Sequence, residues 1–315
     1  MGNSLSDASE VKSGVVQGSV LGPTLFVMLT NSLLYAVKLP IGLGLGAFAD
    51  DLKFAVDVAI YTRPEVQEVI NTIADWAGEH HMPLSVQKSV VMHCGNNQPN
   101  HTYTLNGQPM AQVNSIRDLG VIRCANHSLS EQCHAAASKA TRAAFGVRRA
   151  LGNGARELLW PAFQYYVLPI LMYCSPAWSP RLRSDIQVIE RVQRRYTKII
   201  PGLRELSYSE QLRVLHALPL QDKRICADMT IVYRCLHGLV KCPLSSLGLS
   251  VAATNTRSNL VNLQQRRLVS KTHGALFCCR APSQWNKLPA KVTQCHTISN
   301  FKENLFNYLI KQNCN

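Results

Sequence analysis

The tetrapeptide Phe48-Ala49-Asp50-Asp51 constrains the fold more than any other segment, because two adjacent carboxylates stand between two apolar runs. The run before the carboxylates, residues 43–49, is small and apolar, and the run after them, residues 52–56, is mostly apolar. Such runs around a polar pair are typical of two strands joined by a tight turn. The acidic pair has two interpretations. Asp tolerates turn geometry and caps its own backbone, whereas adjacent carboxylates also suit a hard metal ion.

A second segment upstream favours the metal interpretation. Residues 13–23 contain the tripeptide Gln17-Gly18-Ser19 and lead into the apolar stretch of residues 24–37. The two segments in this order resemble the reverse transcriptases, which are RNA-directed DNA polymerases, and more narrowly those of jockey-like non-LTR retrotransposons. Further matching segments cover nearly the whole chain, at residues 76–89, 103–107, 117–121, 169–180, 189–195, 285–289 and 301–302.

The resemblance implies that the acidic hairpin holds catalytic Mg²⁺ (or Mn²⁺). Asp50 would be the principal metal ligand and Asp51 a secondary one. Phosphoryl transfer to a primer 3′-hydroxyl uses two divalent ions about 3.5–4 Å apart. The partners of the intact parent enzyme would therefore be an RNA template, a DNA primer and dNTP.

The resemblance also implies a nucleotide site. Gln17, Gly18, Ser19 and Phe48 would lie beside the templating base and the incoming nucleotide, which the small residues allow the backbone to approach closely. Lys88 would lie behind the triphosphate, where a cation can neutralise or protonate the leaving pyrophosphate. A solvated lysine at the end of a strand is the alternative for Lys88.

One part of the family pattern is missing. The first catalytic aspartate of the family lies in a pattern of the type F-x-D-x-x-x-A-F-D before the QGS segment, and residues 1–13 contain only Asp7 and Glu10 as acids. Val16 stands where proline is usual, and Ser85 where asparagine is common. We therefore expect the C-terminal part of a reverse transcriptase, from a truncated element copy or an incomplete gene model. Such a chain would be inactive alone.

Charge divides the chain. Residues 1–122 carry 6 Lys/Arg against 10 Asp/Glu, a net charge of −4, whereas residues 123–315 carry 27 against 9, a net charge of +18. A basic segment next to an acidic, metal-binding one suits a polymerase, because nucleic-acid phosphates must be held while the metal is captured. Ribosomal and other cationic proteins share this composition.

The most distinctive part of the basic half is residues 184–200. Apolar residues recur along one side of this predicted helix, which Ser184 would cap and Pro201-Gly202 would end. Its cations cluster on the other side: Arg191, Arg194, Arg195 and Lys198. This face suits contact with phosphates. A solvated outer face over a helical core is the alternative.

Together these patterns predict an α+β chain of two domains. Residues 1–122 would form a partial reverse transcriptase palm of antiparallel strands with helices. Residues 123–315 would form a basic, mostly helical, thumb-like domain with a linker at 238–259. The predicted segments are helices at 24–37, 64–79, 130–151, 155–171, 207–215 and 220–236, and short strands with turns between 90 and 121.

The competing class is a non-catalytic or vestigial protein that binds nucleic acid without sequence preference through its basic half. A group II intron maturase is a weaker alternative. Eleven scattered cysteines indicate reduced thiols and an intracellular, cytoplasmic or nuclear protein without a zinc site. The apolar stretch of residues 21–49 is interrupted by Pro23, Asn31, Lys38 and Pro40, which indicates a helix and a strand rather than a membrane span.

Overall fold

The computed structural model describes residues 18–37, 44–95, 100–253, 261–267 and 273–314. The described chain is an α+β protein, as predicted, and its contacts divide it into two compact units, Met1–Ser115 and Ile116–Asn315. The first unit combines helices with short strands, and the second is mostly helical. The division lies upstream of the predicted boundary between residues 122 and 123.

Two helices of the first unit follow the predicted ranges closely. Helix α1 spans Gly22–Ala36 and helix α2 spans Arg63–Glu79. Thr62 and Glu65 form a capping box that satisfies backbone N–H groups at the start of α2. The apolar stretch of residues 21–49 thus contains α1 and a strand. Across the described residues, no helix is both long and apolar enough to cross a bilayer.

The strands of the first unit pair two by two. They are β1 (Gly44–Phe48), β2 (Asp51–Ala55), β3 (Val90–Val91), β4 (Thr104–Leu105), β5 (Gln108–Pro109) and β6 (Ala111–Gln112). The β1–β2 and β4–β5 pairs are antiparallel hairpins, as predicted, and the second turns at Asn106-Gly107 with φ of 51° and 75°. The β3–β6 pair is parallel instead, with Val90 opposite Ala111 and Val91 opposite Gln112.

The core of the first unit lies where α2 meets α1 and the β1–β2 hairpin. Trp76 of α2 is buried there, and its indole Nε1 donates a hydrogen bond to Ser32 Oγ of α1 at 3.1 Å. Alternate residues of β2, Leu52 and Phe54, pack against the same side. Strand alternation therefore directs Asp51 to the opposite, exposed side of the hairpin.

The second unit contains nine helices among its described residues. A short strand pair, β7 (Ser115–Asp118) and β8 (Val121–Cys124), precedes them. The helices are α3 (Ser130–Leu151), α4 (Arg156–Ala162), α5 (Leu168–Met172), α6 (Arg183–Thr197), α7 (Tyr208–Val214), α8 (Leu220–Leu236), α9 (Phe277–Trp285), α10 (Ala290–Thr293) and α11 (Ile298–Cys314). Helices α3 and α8 have the predicted bounds. The single helix predicted at 155–171 is divided by a π-helical segment, Phe163–Val167.

Helix α8 contributes to both cores of the second unit. The first core packs α3 to α7 around Phe163 and Trp178, and the second packs α8 to α11 around Trp285 and Phe301. The predicted linker at 238–259 is packed in part within its described residues, 238–253, and residues 254–259 lie outside the described part of the chain. Its residue Leu249 is buried in the second core, behind a 3₁₀ turn at Leu244–Leu247.

Candidate functional site: an acidic hairpin and a basic helical surface

The acidic pair lies at the tip of the β1–β2 hairpin. Phe48 pairs with Asp51 across a two-residue turn made of Ala49 and Asp50, and Ala49 has a φ of 50°. Both carboxylates are exposed. Neither side chain makes a hydrogen bond or an ion pair within the described part of the chain. The hairpin therefore presents two carboxylates to solvent, beside the ring of Phe48, which is 65% exposed.

The donor set of the hairpin fits one metal ion but not a pair. Among the described residues, no group of three or more His, Cys, Asp or Glu side chains converges. Mg²⁺ usually keeps several waters and takes one or two carboxylates together with substrate phosphates. Asp50 and Asp51 can supply those two carboxylates. A second ion would need a further bridging carboxylate, which the described residues do not bring to the hairpin.

The predicted nucleotide segment is described from Gly18 onward, and Gln17 lies outside the described residues. Gly18 is exposed and has a φ of 86°, a conformation that favours glycine. The Ser19 hydroxyl accepts a hydrogen bond from the N–H of Gly22 at 3.0 Å, at the start of α1. Ser19 therefore satisfies a backbone N–H at the start of α1, although the N-cap residue of the helix is Leu21.

Lys88 lies in a turn just before β3, and its side chain is exposed. Leu84 and Val86, just upstream, pack in the same apolar clusters as Phe54 of β2, so this loop and the hairpin share a core. No hydrogen bond or ion pair joins Lys88 to Asp50 within the described residues.

The basic helix of the second unit starts earlier than predicted. Helix α6 begins at Arg183, and Leu182, with an extended backbone (φ −69°, ψ 133°), is its N-cap. The prediction that Ser184 caps the helix is wrong, because Ser184 already lies inside the first turn. The predicted apolar side is confirmed at Ile189, Val192 and Tyr196, which are all buried.

All exposed charges of α6 are positive, because both of its acids are buried. Asp185 accepts a hydrogen bond from the Ser130 hydroxyl of α3 at 3.0 Å. Glu190 accepts hydrogen bonds from the Tyr208 hydroxyl and, at 2.9 Å, from the N–H of Leu220. Burial raises the pKa of Glu190, and these two hydrogen bonds oppose the rise. The acids thus serve the core and do not neutralise the outer surface.

The structure separates the four predicted cations of α6. Arg191 and Arg195 line a groove of about 220 Å³ between α6 and α3. The guanidinium carbon of Arg194 lies instead 4.8 Å from the ring centroid of Tyr208, on the other side of the helix. Lys198 is exposed at the C-terminal end of α6. Arg191 and Arg195 are thus the two cations placed to act together on one ligand.

Three polar residues of α3 face the same groove and were missed by the sequence analysis. They are His134, Ser138 and Thr141. Their spacing, i, i+4 and i+7, places them along one side of the helix. The sequence could have indicated this polar surface, because the spacing puts three hydrogen-bonding side chains along one side of α3, whose range the sequence predicts well.

Comparison with known proteins bears on the first unit. Residues 1–123 match the family model described as reverse transcriptase (RNA-dependent DNA polymerase), and this range contains the acidic hairpin and the segment before α1. The match supports a reverse transcriptase domain, as the sequence predicted. No curated protein and no solved structure matches the chain. The helices from α3 onward lie outside the matched range.

Proposed function

We propose that the first unit is part of the palm of a metal-dependent reverse transcriptase, of the kind encoded by jockey-like non-LTR retrotransposons. The observation that carries this proposal is the β1–β2 hairpin, because its turn exposes two adjacent carboxylates within the range that matches the polymerase family. The sequence segments that resemble jockey-like elements support the narrower assignment. Such a protein would act inside the cell.

In such a polymerase, each residue of the candidate site would have a defined role. Asp50 and Asp51 would hold Mg²⁺ or Mn²⁺, which when bound activates the primer hydroxyl and clamps the triphosphate. Gly18 and Ser19 would shape the backbone beside the nucleotide, with Gln17, and the exposed ring of Phe48 would border the same site. Lys88 would offer its ammonium group to the triphosphate.

A metal titration tests the hairpin directly. We expect the full chain to bind Mn²⁺, followed by electron paramagnetic resonance, and the Asp50→Asn/Asp51→Asn variant to lose that binding. The matched control is Asp75→Asn/Glu79→Gln, which removes two exposed carboxylates from α2 in the same unit. Unchanged binding in the hairpin variant, or equal loss in the control, would contradict the proposal.

The same donor set predicts that the chain does not extend a primer by itself. Two metal ions need a bridging carboxylate, and the described residues bring no third acidic side chain to Asp50 and Asp51. We expect no template-dependent incorporation on RNA with Mg²⁺ or Mn²⁺. Incorporation that Asp50→Ala abolishes would show that the chain is a complete polymerase.

The second proposed function is binding of nucleic acid without sequence preference by the second unit. The observation that favours it is the outer surface of α6, whose exposed charges are all positive while both acids are buried. Cations on a helix surface contact phosphates, which carry no direct sequence information. This function stands whether or not the hairpin binds metal.

A salt titration tests this second function. We expect affinity for an oligonucleotide, measured by fluorescence anisotropy, to fall steeply as salt rises. Each phosphate contact adds roughly 0.7 to the logarithmic salt slope for a single strand. The α6 variant changes four cations to Gln: Arg191, Arg194, Arg195 and Lys198. If most of them contact phosphate, its slope should be smaller by about 2 to 3 units.

The matched control for the salt titration removes the same charge elsewhere in the second unit. It changes four exposed lysines to Gln: Lys241, Lys287, Lys291 and Lys302. We expect its slope to stay near that of the unmodified chain, because these lysines lie outside α3 and α6. An unchanged slope in the α6 variant, with the fold intact by circular dichroism, would show that the cations of α6 are only solvated.

A further inference from the structure

We propose that the groove between α3 and α6 binds a single strand of nucleic acid, with phosphates held by the two helices and a base stacked on Phe145. The proposal rests on the nucleic-acid binding proposed for the second unit and names the form of its ligand. It assigns a role to α3, which lies outside the range that matches the polymerase family.

The groove offers hydrogen-bond donors from both of its walls. Arg191 and Arg195 contribute guanidinium groups from α6, and Ser138 contributes a hydroxyl from α3. Guanidinium groups match the geometry of phosphate oxygens and donate two bonds at once. The walls are fixed, because the Ser130 hydroxyl of α3 donates to the buried Asp185 of α6. A phosphate would therefore enter a preformed, positively charged cleft.

Phe145 continues the groove stripe of α3 by one turn. It follows Thr141 by four residues, so it lies on the same side of the helix, about 6 Å farther along. Its ring is 68% exposed, while its neighbours Ala144 and Val147 pack against the core. A large apolar ring thus stands in solvent at the end of a cationic groove.

The charges around Phe145 suit a polyanion. Arg142, Arg148 and Arg149 are exposed on the same part of α3. The sole acidic residue of α3, Glu131, lies in its first turn, about four turns from Phe145. An incoming phosphate chain therefore meets no opposing carboxylate on this part of the helix. Phosphates can be held on both sides of the ring.

An exposed ring among arginines favours a single strand over a duplex. Bases in a duplex are stacked on one another and offer no free face, whereas unpaired bases stack on aromatic side chains. This stacking is sequence-tolerant, because every base has a flat face. The arginines alone would bind both forms, so Phe145 is the residue that discriminates between them.

The test compares oligouridylate with a blunt-ended RNA duplex of two separate strands, both fluorescently labelled, on the full chain. Phe145→Leu keeps much of the apolar area and removes the aromatic face. We expect it to weaken binding of oligouridylate by roughly 5- to 150-fold, the effect of one stacked base. Duplex binding should change by less than about twofold, since no base is free to stack. Phe145→Tyr should restore single-strand affinity.

The outcomes separate this inference from the function on which it rests. If neither ligand binds, the nucleic-acid function of the second unit fails. If both bind and Phe145→Leu leaves oligouridylate affinity unchanged, only the stacking role is overturned. Leu239→Ala, at another exposed apolar residue of this unit, is the control for loss of apolar surface. An equal loss of oligouridylate affinity in this control would also overturn the stacking role of Phe145. Where oligouridylate binds, Arg191→Gln/Arg195→Gln should reduce the salt slope, and an unchanged slope would overturn the role of the groove in holding phosphates.

Discussion

The buried ion pair between α8 and α9 allows a quantitative prediction about the second unit. Arg280 Nε donates to Asp228 Oδ2 at 2.7 Å, and Nη2 donates to Oδ1 at 3.0 Å. The side chains are only 11% and 2% exposed, respectively. Arg280 also donates to the carbonyl oxygens of Pro176, at 2.6 Å, and Ala275. One guanidinium therefore joins the two helices to two further segments of backbone.

Removing one partner should cost far more than removing both. Asp228→Leu strands a buried cation, which typically costs about 3–5 kcal/mol. Arg280→Met strands a buried carboxylate and costs a similar amount. Replacing a buried pair by apolar side chains is often neutral, but two carbonyl groups would lose a donor at about 1 kcal/mol each. We expect the double variant to lose about 2 kcal/mol, much less than the sum of the singles.

Urea denaturation followed by circular dichroism measures this double-mutant cycle. The coupling free energy should exceed about 3 kcal/mol, because each single change leaves an unpaired buried charge. Additive single changes would refute the reasoning, since they would mean that water or another group already solvates the stranded partner. A double variant as unstable as Arg280→Met would show that the backbone contacts of Arg280 dominate.

The pH dependence of Arg280→Met gives an independent check. Burial raises the pKa of Asp228 above 3.8, and Arg280 opposes this rise. Without Arg280 the folded pKa should increase further. Between 3.8 and that higher value, the folded state binds more protons than the unfolded state, so stability falls as pH rises. We expect the variant to be more stable near pH 5 than near pH 7, relative to the unmodified chain.

Three further predictions concern local features. Ala49→Gly should stabilise the first unit by about 0.5–1 kcal/mol in urea denaturation, because Ala49 has a φ of 50°; destabilisation would contradict this reasoning. Ser207→Ala should cost about 1 kcal/mol, because Ser207 and Glu210 form the capping box of α7; no change would show that the cap is dispensable. Burial lowers the pKa of Lys223 to about 8, so between that pH and 10.5 the unfolded state binds more protons. The unmodified chain should then gain stability relative to Lys223→Met as pH rises through this window; a pH-independent difference would contradict the shift.

The sequence predicted the hairpin that carries the acidic pair better than it predicted the basic helix. Two carboxylates between apolar runs predicted the hairpin, and the structure has its turn at Ala49 and Asp50. The prediction that Ser184 caps the basic helix was wrong. Several residues near position 184 can cap a helix, and the helix starts after Leu182 because the backbone of Leu182 is extended. The separation of Arg194 from Arg195 could not be predicted, since both lie on the polar side of the helix and only the position of Tyr208 distinguishes them.

The sequence by itself determined the local elements of this protein. Apolar periodicity predicted the bounds of α3 and α8, and the acidic pair predicted the tip of the β1–β2 hairpin. Both predictions succeeded because each of these elements depends on residues close together in the chain. Only the tertiary structure decided which charges face solvent. Asp185 is buried, and its carboxylate accepts a hydrogen bond from Ser130, which is 55 residues away in the chain. The groove beside Arg191 likewise exists only where α3 and α6 pack, and burial depends on such distant contacts rather than on local sequence.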